Sequence, residues 1–233
     1  MLVCSLLNTT RFTNVSRIQN THVLKQKSFT SNVLNYKHDQ QSWLNHQNYK
    51  KIMPIFWVDI ETTGLDVKSS KILELAMIVT DKNLNTIEEE INMVFSCPQK
   101  DLDNMSEWCA KTHSENGLIE EVKKSTLTIE QGELFLLEII KKHCRMPKKA
   151  IIAGNSVHFD KMFLDLNMPT LTDYMNFRIL DVSSINEVAK RWAPNLIYSR
   201  GYRVSKHRAK QDILESIAEL KFYKTHIFSD KIN

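Results

Sequence analysis

Apolar and polar positions change rhythm several times along this chain. Up to residue 53 no rhythm is sustained: Leu, Val and Phe alternate with Ser, Thr, Asn and isolated Arg or Lys. From Pro54 the pattern tightens. Ile55–Ile60 is a short apolar run that predicts a buried strand. Lys71–Thr80 and Thr86–Phe95 predict two more strands, with the polar Asp81–Asn85 as the turn between them. At Thr128 the period lengthens. Thr128 and Gln131 form a capping box, and Leu136, Ile139, Ile140 and His143 then recur at helical spacing. Ala150–Ala153 predicts another strand, and Gly154-Asn155 leads into a helix through Leu166. Arg178–Val182 predicts a strand. Ser184 and Glu187 predict a second capping box that opens a helix toward Trp192. A last helix is expected from about Ala209 to Lys224, with Ile213, Ile217 and Leu220 on one face. Three strands followed by alternating helices and strands predict an α/β fold, a mixed central sheet flanked by helices.

Charge separates the leader from this body. The whole chain carries +4 over 233 residues. Residues 1–50 hold six basic side chains against Asp39 alone, a net +5, which leaves −1 for the rest. A nearly neutral body argues against coating long nucleic acid by bulk charge, so any such substrate must be gripped locally. The leader's Ser-, Asn- and Arg/Lys-rich composition is that of a mitochondrial transit peptide, with a disordered tail lacking any address as the alternative. The expected layout is therefore a disordered basic leader over 1–50 and one domain over 51–233. The expected location is the mitochondrion, with cytosol or nucleus as further possibilities. No stretch approaches the roughly 18 apolar residues that would cross a bilayer. Cys4, Cys97, Cys109 and Cys144 form no C-x-x-C pair and suit reduced, packed thiols. The spacing of Cys109, His113, His143 and Cys144 does not suit a zinc site.

The chemistry is carried by carboxylates. Asp59 and Glu61 lie two apart on the first strand, so they share a face. Two carboxylates held together repel unless a cation sits between them. Alone, an Asp-x-Glu occurs often by chance and suits a solvated strand end. Asp160 opens the helix after Gly154-Asn155-Ser156, and Asp212 lies in the first turn of the last helix. Each can equally serve as an ordinary acid complementing a helix dipole. His207 precedes Asp212 by five residues, too far for one helix face, and is expected on the lead-in loop. Together, four carboxylates suit two divalent cations, Mg²⁺ or Mn²⁺, and a nearby histidine suits proton transfer from water.

Five segments carry a family resemblance: Trp57-Val58-Asp59-Ile60-Glu61-Thr62-Thr63-Gly64-Leu65, Met105-Ser106-Glu107-Trp108-Cys109, Ala153 through Lys161, Arg178 through Ser184, and His207-Arg208-Ala209 followed by Asp212 through Ser216. In this order they resemble the oligoribonucleases, His-containing members of the DEDD exonucleases with a ribonuclease H-like fold. The resemblance spans roughly Met53 to Ile227. It implies Asp59, Glu61, Asp160 and Asp212 as metal ligands and His207 as general base. It implies Leu65 and Trp108 against the terminal bases, and His113 and Ser156 near the substrate's 3′ end. It further implies a homodimer in which Phe177, Arg178 and Ser183 of one subunit cap the 5′ phosphate held by the other. Core packing is the alternative for Trp108 and Phe177.

The chain departs from that family in places. Thr62 stands where Met is usual, Phe177 where Tyr is usual, Asn186 where Lys is common, and Gln211 where an acid is usual; Ser199–Lys206 is unlike its counterpart. The expected activity is 3′→5′ hydrolysis of short single-stranded RNA to 5′-mononucleotides. A related exonuclease acting on DNA, and a catalytically weak RNA-binding homologue, are the competing readings.

Overall fold

In the computed structural model, residues 44–200 and 207–228 are described. Most of the leader and most of Ser199–Lys206 lie outside them. Residues 44–52 are helical. Met1–Asn48 and Tyr49–Asn233 are separate units, and the sheet belongs to the second.

Five strands build the sheet: β1 (Ile55–Thr62), β2 (Ile72–Thr80), β3 (Thr86–Val94), β4 (Ile151–Gly154) and β5 (Ile179–Asp181). Their order is β3-β2-β1-β4-β5. The first three are antiparallel neighbours, and β4 and β5 run parallel to β1. The sheet is mixed, as the patterning predicts. Asp81 makes the β2–β3 turn by accepting hydrogen bonds from the Asn83 and Asn85 amides.

Beyond the helical residues 44–52, nine α-helices are described: α1 (Gln99–Asp103), α2 (Glu107–Glu115), α3 (Leu118–Lys124), α4 (Ile129–His143), α5 (Val157–Asn167), α6 (Pro169–Tyr174), α7 (Val182–Trp192), α8 (Pro194–Arg200) and α9 (Ala209–Tyr223), the last continued by a π-helical turn (Lys224–Phe228). The Thr128–Gln131 capping box is formed as expected. The second is not. α7 starts at Val182 and its cap is Asp181, whose carboxylate accepts from the Ser183 amide; Ser184 already lies inside the helix. An aspartate ending a strand serves the orphan amides of the first turn directly, which leaves Ser184 no capping role.

Strand alternation sorts β1 into two cores. Phe56, Val58 and Ile60 pack with residues of α4 and α5, such as Leu136, Ile140 and Phe163. Ile55 and Trp57 face the other way, toward Ala209, Ile213, Ile217 and Leu220 of α9. The odd-numbered face is therefore the one that α9 covers, and it is the face of Asp59 and Glu61. Cys109 and Cys144 are buried and unbridged, and Cys97 is half-buried. Among the described residues, no helix is long and apolar enough to cross a membrane.

Candidate active site

β4 pairs with β1 only as far as Ala153 opposite Trp57. β1 continues beyond that point, and a crevice opens outside the carboxyl ends of the parallel strands, where open α/β sheets bind ligands. Gly154 lets the end of β4 lie close against β1. A Cβ there would lie 2.8 Å from the Val58 carbonyl oxygen. The resulting cleft, about 360 Å³, is lined by Asp59, Ile60, Glu61, Asn155, Ser156, His207 and Asp212.

Three of the expected ligands meet directly. Carboxylate oxygens of Asp59, Glu61 and Asp212 lie within 4.8 Å of one another. Asp59 and Glu61 come from one face of β1, and α9 packs on that face with Asp212 in its first turn. Asp160 arrives from the opposite side. Its helix, α5, packs on the even-numbered face, and its Oδ1 accepts the Ile60 amide at 3.0 Å. That amide lies between Asp59 and Glu61, past the end of β4, so Asp160 is pinned beside the trio by the backbone itself.

The electrostatics fit a cation. Burial pushes the Glu61 carboxyl up to about 8, helped by the charges of Asp212, Glu74 and Asp160. Burial also pushes Asp160 up to about 7, against the stabilising hydrogen bond from Ile60. Carboxyls packed this way resist ionisation, and a divalent cation coordinated by oxygen removes the penalty. This has a measurable consequence. A raised folded-state pKa contributes stability that is fully present below the unfolded value and lost as pH rises through the folded one. Between about pH 5 and pH 8 the metal-free protein should therefore lose stability through these two groups. Mn²⁺ should raise the thermal midpoint more at pH 8.5 than at pH 6, since binding then displaces fewer protons. Equal shifts at both pH values would contradict the cluster's role.

His207 lies on the loop before α9 with φ of 51°. Its carbonyl accepts from Asn116 Nδ2 at 2.6 Å. Its ring meets Trp108 edge-on, with centroids 5.0 Å apart and planes at 90°. Trp108 is 57% exposed and Phe177 76%, so core packing is excluded for both. Trp108 stands beside the histidine, on α2, whose cap Ser106 accepts from the Cys109 amide. Leu65 is 77% exposed on the loop after β1. That loop is held by Thr62, whose hydroxyl donates to the Gly64 carbonyl at 2.7 Å, a bond the usual Met cannot make.

His113 is buried behind the ligands, with Nε2 3.0 Å from the Thr62 carbonyl. A carbonyl only accepts, so Nε2 carries the proton. Burial lowers the ring's pKa, so it is neutral and its 3.9 Å approach to Glu61 is no ion pair. Ser156, at φ 52°, lines the cleft. Its amide donates both to Asp181 Oδ1 and to Ser183 Oγ. The Ser183 hydroxyl in turn donates to Asp181. Burial would raise the Asp181 carboxyl, but hydrogen bonds from Ser183, His158 and Ser156 outweigh it and hold the group below the usual range. Ser183 is thus bonded to a residue of this chain's own cleft wall without lining the cleft itself. Phe177 and Arg178 do not. They precede β5, about 10 Å along the strand from Asp181 at the usual rise per residue, and stack on each other with the guanidinium 4.6 Å from the ring centre.

Sequence reasoning passed over Glu74. It is a lone acid in the otherwise uncharged β2 run, every residue of which is buried, and that oddity is its signal. It pairs with Glu61 across the strands.

The sequence model of the Exonuclease family matches residues 56–220. A mitochondrial oligoribonuclease of Homo sapiens is 42% identical over 177 residues, covering 76% of this chain and 74% of that protein. This chain belongs to the oligoribonuclease family. Another oligoribonuclease, from Actinobacillus pleuropneumoniae, is 45% identical over 81% of this chain and 98% of its own length. A probable oligoribonuclease of Schizosaccharomyces pombe is 38% identical over 93% and 84%. Among solved structures, E. coli exonuclease I in complex with single-stranded DNA, in a zinc-bound form, superposes with a TM-score of 0.59 at 16% identity. That match covers 76% of this chain and only 41% of exonuclease I, and it establishes the shared fold. Oligoribonuclease membership and that fold agree with the expectations from sequence.

Proposed function

We propose that this chain is a 3′→5′ exoribonuclease that hydrolyses short oligoribonucleotides to 5′-mononucleotides. The observation that carries the reading is the meeting of His207 and the carboxylates of Asp59, Glu61 and Asp212 in one cleft beside the exposed Trp108. Asp59, Glu61, Asp160 and Asp212 would hold two divalent cations, Mg²⁺ or Mn²⁺. Such cations lower the pKa of bound water and stabilise the departing 3′-oxygen. His207 accepts the proton of the attacking water. The water oxygen bonds to phosphorus, the P–O3′ bond breaks, and the terminal residue leaves as a 5′-nucleotide. Trp108 and Leu65 offer faces for the last two bases, since aromatic stacking grips any base. The Ser156 hydroxyl, at the cleft wall, suits the terminal sugar.

The direct test is purified protein with Mn²⁺ on a labelled RNA dinucleotide, a longer RNA and a DNA dinucleotide. Fastest turnover of the RNA dinucleotide supports the reading. Preference for DNA favours the exonuclease alternative, and binding without cleavage the non-catalytic one.

The dimer belongs to the same proposal. Phe177 and Arg178 are exposed and lie away from their own cleft, and a guanidinium gives a terminal phosphate a bidentate grip. A C₂ partner would bring them to the second cleft. Mixing His207→Ala and Arg178→Ala protomers should restore one working site per heterodimer. A mixture no more active than the mean of its parents, from a protein that sediments as a monomer, would exclude the arrangement. Mitochondrial placement is proposed from the leader's composition and the mitochondrial relatives. A fluorescent fusion of residues 1–50 that stays cytosolic would refute it.

A further inference from the structure

The residue after His207 is tied to a buried carboxylate on the sheet's second strand. Arg208 donates from Nε and Nη2 to Glu74 at 2.9–3.2 Å, and from Nη1 and Nη2 to Glu121 of α3 at 3.0 Å. Glu74, 1% exposed, also accepts the Ala209 amide at 3.2 Å and Asn92 Nδ2 at 3.0 Å. Arg208 and Asn116 close the circuit: Arg208 Nη1 donates to the Asn116 carbonyl, and Asn116 Nδ2 donates to the His207 carbonyl.

Arg208 is the N-cap residue of α9, but its own side chain makes no capping bond to the helix amides. Glu74 supplies that function from another element, since it takes one of the helix's orphan amides. An anion at a helix N-terminus is favourable, and the arginine beside it offsets the cost of burying it. The placement bears on the site twice. His207 is one residue before Arg208, and Asp212 is in the turn that Ala209 begins. Glu74 also faces Glu61 across the β1–β2 ladder, so one carboxylate registers the base against a ligand on each side.

We propose that Glu74, acting through Arg208 and the Ala209 amide, is the positioning residue that holds His207 over the cleft. The inference rests on the exoribonuclease reading, with His207 as base. Groups that orient a site from behind typically contribute about 10–100-fold. Glu74→Gln should therefore lower kcat on an RNA dinucleotide by about 10–100-fold, with KM changed less than about threefold. The double variant Glu74→Gln/Arg208→Gln should be no worse than the poorer single variant, because the two act as a unit. The deciding measurement places Glu74→Gln in a His207→Ala background. If Glu74 works through the histidine, the second change adds little to the first. If the two losses multiply in full while the thermal midpoint of Glu74→Gln stays near the parent's, the positioning role is overturned. Should the parent enzyme be inactive, or His207→Ala fully active, the underlying reading fails instead, and the two failures are told apart. Glu74→Asp, which keeps the charge, should recover part of the lost kcat.

Discussion

His207→Ala should reduce turnover of an RNA dinucleotide by about 10²–10⁴-fold, the usual contribution of a general base. The loss should fall on kcat, since the ring is assigned to the proton and not to the nucleotide. Stability should change little. The residue is half-buried, its backbone keeps the Asn116 hydrogen bond through a carbonyl that alanine also has, and its φ of 51°, which histidine adopts more readily than alanine, adds only a small cost. The edge-on contact with Trp108 is lost, about 0.5–1.5 kcal/mol. That contact adds a second, smaller reading. Trp108 both restrains the imidazole and offers its exposed face to a base, so substituting Trp108 should raise KM as well as lower kcat. If His207→Ala retains full activity, the water is activated by the cations alone, and the histidine loop serves only as the lead-in to α9.

The strands were legible because their apolar runs are short, dense and separated by polar turns. β1 to β4 fall within two residues of the patterned expectation. The pairing of Asp59 with Glu61 on one face followed from alternation alone. Convergence on Asp212 did not, because it depends on α9 covering the odd-numbered face, a fact of tertiary packing. Three short helices between Pro98 and Ser125 escaped notice. None is longer than nine residues, too short for a convincing period, although Ser106 carried a usable cap signal. α6 and α8 open at Pro169 and Pro194, where proline suits the first turn. The Ser184 expectation failed through competition: a strand-ending aspartate three positions earlier in the cap role decides where α7 begins. Glu74 was visible as an anomaly without a meaning. A buried acid needs a partner, and nothing local shows that the partner sits 134 residues away.

Asp212→Asn should separate activity from stability, moving them in opposite directions. Activity should fall by at least as much as for His207→Ala, since the change removes a charged ligand from the trio that meets within 4.8 Å. A chelator such as EDTA should abolish activity of the parent for the same reason, and Mn²⁺ should restore it. The metal-free variant should nonetheless melt higher than the metal-free parent. Glu61 is held up to about 8 first by burial and then by the charge of Asp212. Without that charge its pKa falls toward the ordinary range, and less stability is lost as pH rises through it. The gain should thus be larger at pH 8.5, where the parent's Glu61 ionises beside Asp212, than at pH 6, where it is still protonated. For a chain this size, each kcal/mol shifts the midpoint by about 2–4 °C. In saturating Mn²⁺ the order should reverse, because the parent recovers binding energy the variant lacks. The cluster would then be a site assembled at the expense of apo stability, as functional sites commonly are. A metal-free variant that melts below the parent at pH 8.5 would show that Asp212 stabilises α9 mainly as a first-turn acid, the role any helix-opening aspartate can fill.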